Sequence, residues 1–164
     1  MVKKLSRKSG GRGGRLLADT IVLDQGAGFL LRVASARANA LFEELTGQSE
    51  TTPQQYGALL TLHQRGPLTP SELSDATETD RSTLGEIVRR LGKRGYVSLS
   101  RNGEDGRSKK VSLTPSGDEA LRLLTRGAHR VTDTLLAVLP AKQRVEFLHA
   151  LRVVAQGVAP RNDS

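Results

Sequence analysis

The 164-residue sequence predicts a mainly α-helical protein that carries one small β-hairpin, an α+β fold. Apolar residues recur at helical spacing along most of the chain, and Thr-Pro pairs typical of helix starts introduce three of these stretches. The spacing changes to alternation only in two short segments after Tyr96, which glycine-containing turn residues separate. Together these observations predict six helices, with the hairpin between the fourth and the fifth.

The composition favours a polyanionic partner and gives no support for catalysis. Lysine and arginine outnumber aspartate and glutamate by 25 to 17, for a net charge of +8. The chain has no cysteine, which excludes disulfides, thiolate zinc sites and thiol catalysis. It contains no H-E-x-x-H, G-x-S-x-G or Walker motif, and its three histidines are scattered singly. We therefore expect no enzyme activity, no metal and no cofactor.

The hydropathy pattern predicts no contact with a membrane. No apolar run approaches the ~18 residues that a spanning helix needs. No signal-peptide core follows the basic start of the sequence. We therefore expect a soluble, cytoplasmic protein.

The start of the chain is a basic, glycine-rich arm, residues 1–22. Residues 1–15 carry six of the net +8 charges, together with four glycines and no acidic residue. Such a segment cannot bury enough apolar surface to fold, so we expect it to be disordered without DNA. Two interpretations stay open for it. It is either an arm that lies against phosphates or in a minor groove, or a solvated tail.

Two helices are predicted next. The first occupies residues 23–48, where apolar residues recur near helical spacing up to Gly47. The second begins at Thr52, because Thr52 and Gln55 are spaced as a capping box with proline at the first helical position between them. It ends at Gly66, which a proline follows.

The third and fourth helices are predicted to form a helix-turn-helix. Thr69 and Glu72 give a second capping box that opens a short helix, and a turn at residues 77–80 follows it. The fourth helix runs from about residue 80 to 94 and ends at Gly95. The apolar stripe of the fourth helix is formed by Leu84, Ile87, Val88 and Leu91. The side opposite this stripe is polar and basic, as in a recognition helix.

The hairpin is predicted to be a wing attached to this motif. Two alternating strands, one beginning at Val97 and one ending at Leu113, flank a long basic tip that contains two glycines. Residues 49–114 are thus expected to form a winged helix-turn-helix domain that binds double-stranded DNA. Prolines open two further helices over residues 115–158, and residues 159–164 are a polar tail.

The candidate DNA contacts lie on the fourth helix and in the wing. Hydroxyl and guanidinium groups in the first turn of a recognition helix can read base edges in the major groove, whereas arginines two turns later are suited to phosphates. The alternative for each charged position is an ordinary solvated surface. The candidates are Arg81, Ser82, Thr83, Glu86, Arg89, Arg90, Arg101, Asp105, Arg107, Lys109 and Lys110.

Several short stretches resemble, in the same order and spacing, the MarR family of bacterial transcriptional regulators. They are Asp80-Arg81-Ser82-Thr83, the end of the fourth helix from Leu91 to Gly95, the wing residues Asp105-Gly106-Arg107 and the strand-to-helix junction Val111-Ser112-Leu113-Thr114. The resemblance covers about residues 23 to 154.

This resemblance implies a homodimer that reads a pseudo-palindromic operator. Residues 23–48 and 115–158 would interlock as dimerisation helices, and two winged lobes would bind the DNA. It also implies that Arg107 enters the minor groove and that Asp105 orients it. Judged by spacing alone, the two residues are equally compatible with an ordinary surface ion pair.

A further short match, Gly28-Phe29-Leu30-Leu31-Arg32, resembles a branch of the family associated with the catabolism of aromatic compounds. It implies a small-molecule effector such as an aromatic acid or its coenzyme A thioester, bound between the dimer helices and the winged lobe. The candidate effector contacts are Arg32, Arg37, Tyr56 and His63. The alternatives are interface or solvent positions for the arginines, a core position for the tyrosine and a helix-end position for the histidine.

The sequence therefore predicts a ligand-responsive transcriptional repressor, associated with the nucleoid, that the effector releases from its operator. The alternative is a constitutive architectural DNA-binding protein without an effector, for which the basic arm would supply general affinity. An RNA-binding role is disfavoured because only 3% of the residues are aromatic, too few for a usual stacking platform.

Overall fold

A computed structural model of the chain describes residues 22–47, 49–101 and 109–157. Within these residues the chain forms six α-helices and one antiparallel hairpin, as the sequence predicts. A short 3-10 turn, Leu23–Gln25, precedes the first helix. The elements are α1 (Ala27–Leu45), α2 (Pro53–Arg65), α3 (Pro70–Thr77), α4 (Arg81–Lys93), β1 (Val97–Arg101), β2 (Lys109–Leu113), α5 (Pro115–Leu136) and α6 (Ala141–Gln156).

Some predicted features lie outside the described residues. These are the basic arm up to residue 21, the tip of the wing with Asp105 and Arg107, and the tail from residue 158. Within the described ranges, no helix is both long and apolar enough to cross a membrane.

The described residues fall into two compact units, 22–35 and 36–157, and α1 begins in the first and ends in the second. In the first unit the Arg32 guanidinium lies 5.0 Å from the centroid of the Phe29 ring, one turn earlier on the same helix. This is a cation–π contact. The second unit contains α2 to α6 and the hairpin.

Both predicted capping boxes are present and explain where α2 and α3 begin. The hydroxyl of Thr52 accepts from the Gln55 amide at 3.3 Å, and the Gln55 side chain accepts from the Thr52 amide at 3.2 Å. Thr69 and Glu72 repeat the arrangement, at 3.2 and 2.7 Å. Each box satisfies two backbone donors that a helix start leaves without partners.

The core of the second unit lies where α2, α3, α4 and the hairpin meet. The side chains that are most completely buried are Leu59, Leu73, Leu84, Leu91 and Val111. Burying one such side chain contributes about 1.5–3 kcal/mol, so this cluster is a main source of stability for the helix-turn-helix. It fixes α4 on one side and leaves its other side exposed.

The hairpin is joined to the helices by a third segment that the sequence did not predict. Strands β1 and β2 pair in antiparallel register from Val97 with Leu113 to Arg101 with Lys109. Leu68, in the connection between α2 and α3, adds a bridge to Val111 through two backbone hydrogen bonds of 3.1 and 2.7 Å. The start of the helix-turn-helix is thereby tied to the wing.

Two glycines let α5 approach other backbone segments closely. A Cβ atom at Gly117 would lie 2.1 Å from the carbonyl oxygen of Tyr96, and one at Gly127 would lie 2.2 Å from that of Leu45. These distances exclude any side chain unless the backbone shifts. Helix α5 therefore packs tightly against both the start of the hairpin and the end of α1.

Candidate nucleic-acid interface

Helix α4 presents a continuous exposed face because its apolar stripe is buried on the opposite side. Leu84, Ile87, Val88 and Leu91 are all buried. The side chains that point away from this stripe, at spacings of four, three and four residues, are Ser82, Glu86, Arg89 and Lys93. All four are exposed, and an exposed α-helix of this kind fits the major groove of B-DNA.

The N-terminal end of α4 is fixed by Asp80. Its carboxylate accepts hydrogen bonds from the Thr83 amide at 2.9 Å and from the Ser82 hydroxyl at 2.6 Å. The hydrogen bond from Ser82, followed by those from Thr83, holds the pKa of Asp80 far below its ordinary value. The carboxylate is thus ionised at neutral pH and caps the helix that carries the candidate contacts.

Arg81, the first residue of α4, contacts the neighbouring helix of the motif. Its guanidinium donates to the hydroxyl of Ser71 at 3.2 Å, which joins the first turns of α4 and α3. Both residues line a groove of about 550 Å³ that runs between α4, the start of α3 and β1. Gly85 and Arg89 line the same groove, so two of the candidate arginines lie at its rim.

Glu86 and Arg89 form an ion pair on the exposed face. The Arg89 Nη2 lies 2.6 Å from one carboxylate oxygen of Glu86, and its Nε lies 3.2 Å from both oxygens. The hydrogen bond from Arg89, supported by its charge, lowers the pKa of Glu86. The same contact raises the pKa of Arg89. Both groups are charged at neutral pH.

The remaining candidates lie around this face. Thr83 and Arg90 are exposed and border a second groove, between α4 and the start of α2, that Gln54 also lines. In the hairpin, Lys109 is exposed and Lys110 is half-buried. Arg101 ends β1, where its backbone pairs with Lys109.

The C-terminal end of α4 is held by Arg94, a residue that the sequence reasoning did not single out. Its guanidinium donates to the hydroxyl of Thr51 at 3.1 Å and to the carboxylate of Glu50 at 2.6 Å. Thr51 is buried, whereas Glu50 is exposed. The contact connects the end of α4 to the segment that enters α2.

The candidate effector contacts occupy different environments. Tyr56 is half-buried on α2, with its ring centroid 5.5 Å from that of Phe42. His63 lies at the end of α2, where its Nδ1 is 2.9 Å from a carboxylate oxygen of Asp118 on α5. Arg37 is exposed on α1, and Arg32 contacts Phe29. Their role as effector contacts stays a prediction.

Comparison with known proteins decides the family of the chain. A family model described as the MarR family matches residues 49–108, which include α2, α3, α4 and β1. The transcriptional repressor NicR of Pseudomonas putida is 35% identical over 125 residues, which are 76% of this chain and 79% of NicR. The chain belongs to the MarR family.

Solved structures of similar sequence agree with this assignment. BpsR of Bordetella bronchiseptica, whose DNA binding is regulated by 6-hydroxynicotinic acid, is 27% identical with a TM-score of 0.77. The comparison covers 82% of this chain and 96% of BpsR. PcaV of Streptomyces coelicolor, solved with its natural ligand, is 31% identical with a TM-score of 0.77, over 83% of this chain and 96% of PcaV.

Membership of the MarR family confirms the predicted winged helix-turn-helix and makes this chain a DNA-binding transcription regulator, not an enzyme. In this MarR protein, Lys93 lies on the same exposed stripe of α4 as Glu86 and Arg89 but was not among the sequence candidates. Its spacing of four residues from Arg89 and seven from Glu86 was the signal that could have identified it.

Proposed function

We propose that this MarR protein is a ligand-responsive repressor that binds a pseudo-palindromic operator as a homodimer. An aromatic acid or its coenzyme A thioester would release it. The observation that carries the proposal is the exposed, mainly basic face of α4 within a winged helix-turn-helix. The relatives support the repressor assignment, since NicR is a transcriptional repressor.

The contacts with DNA are assigned to α4 and to the wing. Ser82 and Glu86 would face the bases, because they lie opposite the buried stripe of α4. Arg89 shares this position, so it is reassigned here from the phosphates that the sequence suggested to the bases. Arg90 and the two hairpin lysines would bind phosphates, where only positive charge is required. Arg107 would enter the minor groove, with Asp105 as its orienting partner.

The homodimer is supported by apolar surface that one chain leaves uncovered. Helix α6 contains no buried residue. Val154 is 63% exposed and Phe147 41%, and the two lie seven residues apart on one side of the helix. Exposed apolar surface of this kind marks an interaction site in a soluble protein. A second copy covering this surface would place two α4 helices about a twofold axis, which requires a pseudo-palindromic operator.

The effector class is supported by BpsR, since 6-hydroxynicotinic acid is an aromatic carboxylic acid. An effector releases a regulator only if its affinity differs between the conformations that bind and do not bind the operator. The candidates to hold its carboxylate are Arg32 and Arg37, because guanidinium groups bind carboxylates in a fork geometry.

A binding titration at controlled salt concentration tests the proposal. One duplex would come from directly upstream of the protein's own gene, and the other would be a scrambled sequence of equal length. Each titration would be repeated with aromatic acids and their coenzyme A thioesters. We expect strong preference for the native duplex, abolished by one compound. Equal binding to both duplexes, insensitive to every compound, would instead support the architectural alternative.

A further inference from the structure

Helix α4 has one feature that is unexpected for a surface that binds a polyanion. Its single acidic residue, Glu86, stands on the exposed stripe between Ser82 and Arg89. The other charged residues of the helix are all basic: Arg81, Arg89, Arg90 and Lys93. A carboxylate at this position weakens the attraction of α4 for phosphates in general, so it opposes non-specific binding.

The position of Glu86 on the helix brings it close to base edges. Glu86 lies almost directly opposite the buried stripe that includes Ile87 and Leu91. The residues opposite the buried stripe are those that enter a groove most deeply when the stripe faces the core. The side chain of Glu86 is 58% exposed, so a duplex on this face of α4 can reach it.

The ionisation state of Glu86 limits what it can bind. The Arg89 contact at 2.6 Å keeps the carboxylate ionised, and an ionised carboxylate is only an acceptor of hydrogen bonds. In the major groove the donors are the amino groups of cytosine and adenine, whereas guanine and thymine present acceptors at the corresponding positions. Carboxylates pair characteristically with the cytosine amino group, and arginine pairs with guanine.

We propose that Glu86 determines the sequence specificity of this regulator by reading one base amino group, that of cytosine. It rejects sequences that place an acceptor at this position. The ion pair holds the Arg89 guanidinium beside Glu86, where it can donate to a neighbouring guanine. Glu86 and Arg89 then read adjacent cytosine and guanine bases. This inference rests on the proposed function, because it requires that α4 binds an operator.

The alternative is that Glu86 and Arg89 are an ordinary ion pair of a solvated helix surface. The chain offers a matched control for it. On α5, Glu119 and Arg122 form a pair with the same spacing of three residues and a distance of 3.0 Å. Glu119 is 59% exposed, almost the same fraction as Glu86. Glu119→Gln thus makes the same change of charge away from the proposed DNA-binding face.

The experiment is a selection of preferred sequences from a randomised duplex library with the full-length wild type, Glu86→Gln and Glu119→Gln. We expect wild type and Glu119→Gln to select the same motif. Glu86→Gln should lose the preference for cytosine at one position of each half-site. In titrations, its preference for the selected duplex over a scrambled one should fall on the order of tenfold. Thermal unfolding of all three proteins checks that the fold is retained.

The outcomes separate this inference from the function on which it rests. An identical motif and an unchanged preference in Glu86→Gln would overturn the role of Glu86 and leave the operator-binding function intact. Failure of the wild type to select any motif would overturn the proposed function itself, and the role of Glu86 with it.

Discussion

Gly85 illustrates how a single residue on α4 can be explained by binding but not by folding. A glycine inside a helix costs about 1 kcal/mol relative to alanine. Nothing lies within 4 Å of the position that a Cβ atom would take at Gly85, so packing does not require the glycine. The residue lines the groove between α4, the start of α3 and β1. If the proposed operator contact extends into this groove, an added methyl group would separate the helix from DNA.

We therefore expect Gly85→Ala to stabilise the protein by about 1 kcal/mol while it weakens operator binding by about tenfold. Gly57→Ala, in the interior of α2, is the matched control, because a Cβ there also meets nothing within 4 Å. It should stabilise the protein similarly and leave the affinity unchanged. Chemical denaturation and binding titration measure the two effects. Unchanged affinity in Gly85→Ala would show that this groove does not approach DNA.

Arg107 carries the prediction for the wing. If its side chain enters the minor groove, Arg107→Ala should weaken operator binding by at least about tenfold without a lower melting temperature. Arg130→Ala, at an exposed position on α5, removes the same charge elsewhere. An equal loss of affinity in both variants would attribute the effect to net charge and remove the assignment of Arg107.

At the scale of elements, the cap of α4 links its stability to pH. The pKa of Asp80 in the folded protein lies below the ordinary value of about 3.9. A depressed pKa means that the stabilisation is fully present above this value and is lost as the pH falls towards the folded pKa. Acid should therefore destabilise the start of α4 by protonating its cap.

Two substitutions at Asp80 separate capping from charge. Alanine removes the cap, so Asp80→Ala should lower the melting temperature at pH 7. Asparagine caps a helix about as well but does not titrate in this range, so Asp80→Asn should melt close to wild type at pH 7. Between about pH 5 and about pH 2, it should lose less stability than wild type. Parallel pH profiles of wild type and Asp80→Asn would contradict the assigned pKa shift.

The sequence predicted contacts between residues close together in the chain but not contacts between distant residues. Capping boxes and the buried stripe of α4 follow from residues three or four apart, and both could be predicted. The bridge between Leu68 and Val111 and the contact of Arg94 with Thr51 join residues more than 40 positions apart. No local pattern encodes such pairs. For the same reason the sequence identified Ser82, Glu86 and Arg89 on the α4 face but not the pairing of His63 with Asp118.

The close approach of α5 to its neighbours also depends on contacts between residues far apart in the sequence, so no local pattern predicts it. A glycine inside a helix lowers its stability, yet the missing side chain of Gly127 allows contact with the backbone at Leu45. Periodicity and capping signals were enough to predict the order of the elements, whereas packing of this kind became apparent only in the structure.

At the scale of the whole molecule, the exposed apolar residues of α6 predict that operator binding depends on a second copy of the chain. Phe147 and Val154 are seven residues apart and therefore lie on one side of the helix. If this side is part of the dimer interface, a charge there is buried without a partner, which is strongly unfavourable. Phe147→Glu should shift the protein to a monomer in analytical ultracentrifugation.

The monomer should also bind an operator far more weakly, because the two half-sites are then no longer bound by one linked assembly. Gln156→Glu places the same charge at an exposed polar position nine residues from Phe147, on the opposite side of α6, and should leave both dimer and affinity unchanged. A variant Phe147→Glu that remains dimeric and binds normally would exclude this side of α6 from the interface. A Phe147→Glu variant that is monomeric yet binds the operator as tightly as wild type would show that a single winged lobe is sufficient for binding. Binding would then not require an operator with two half-sites.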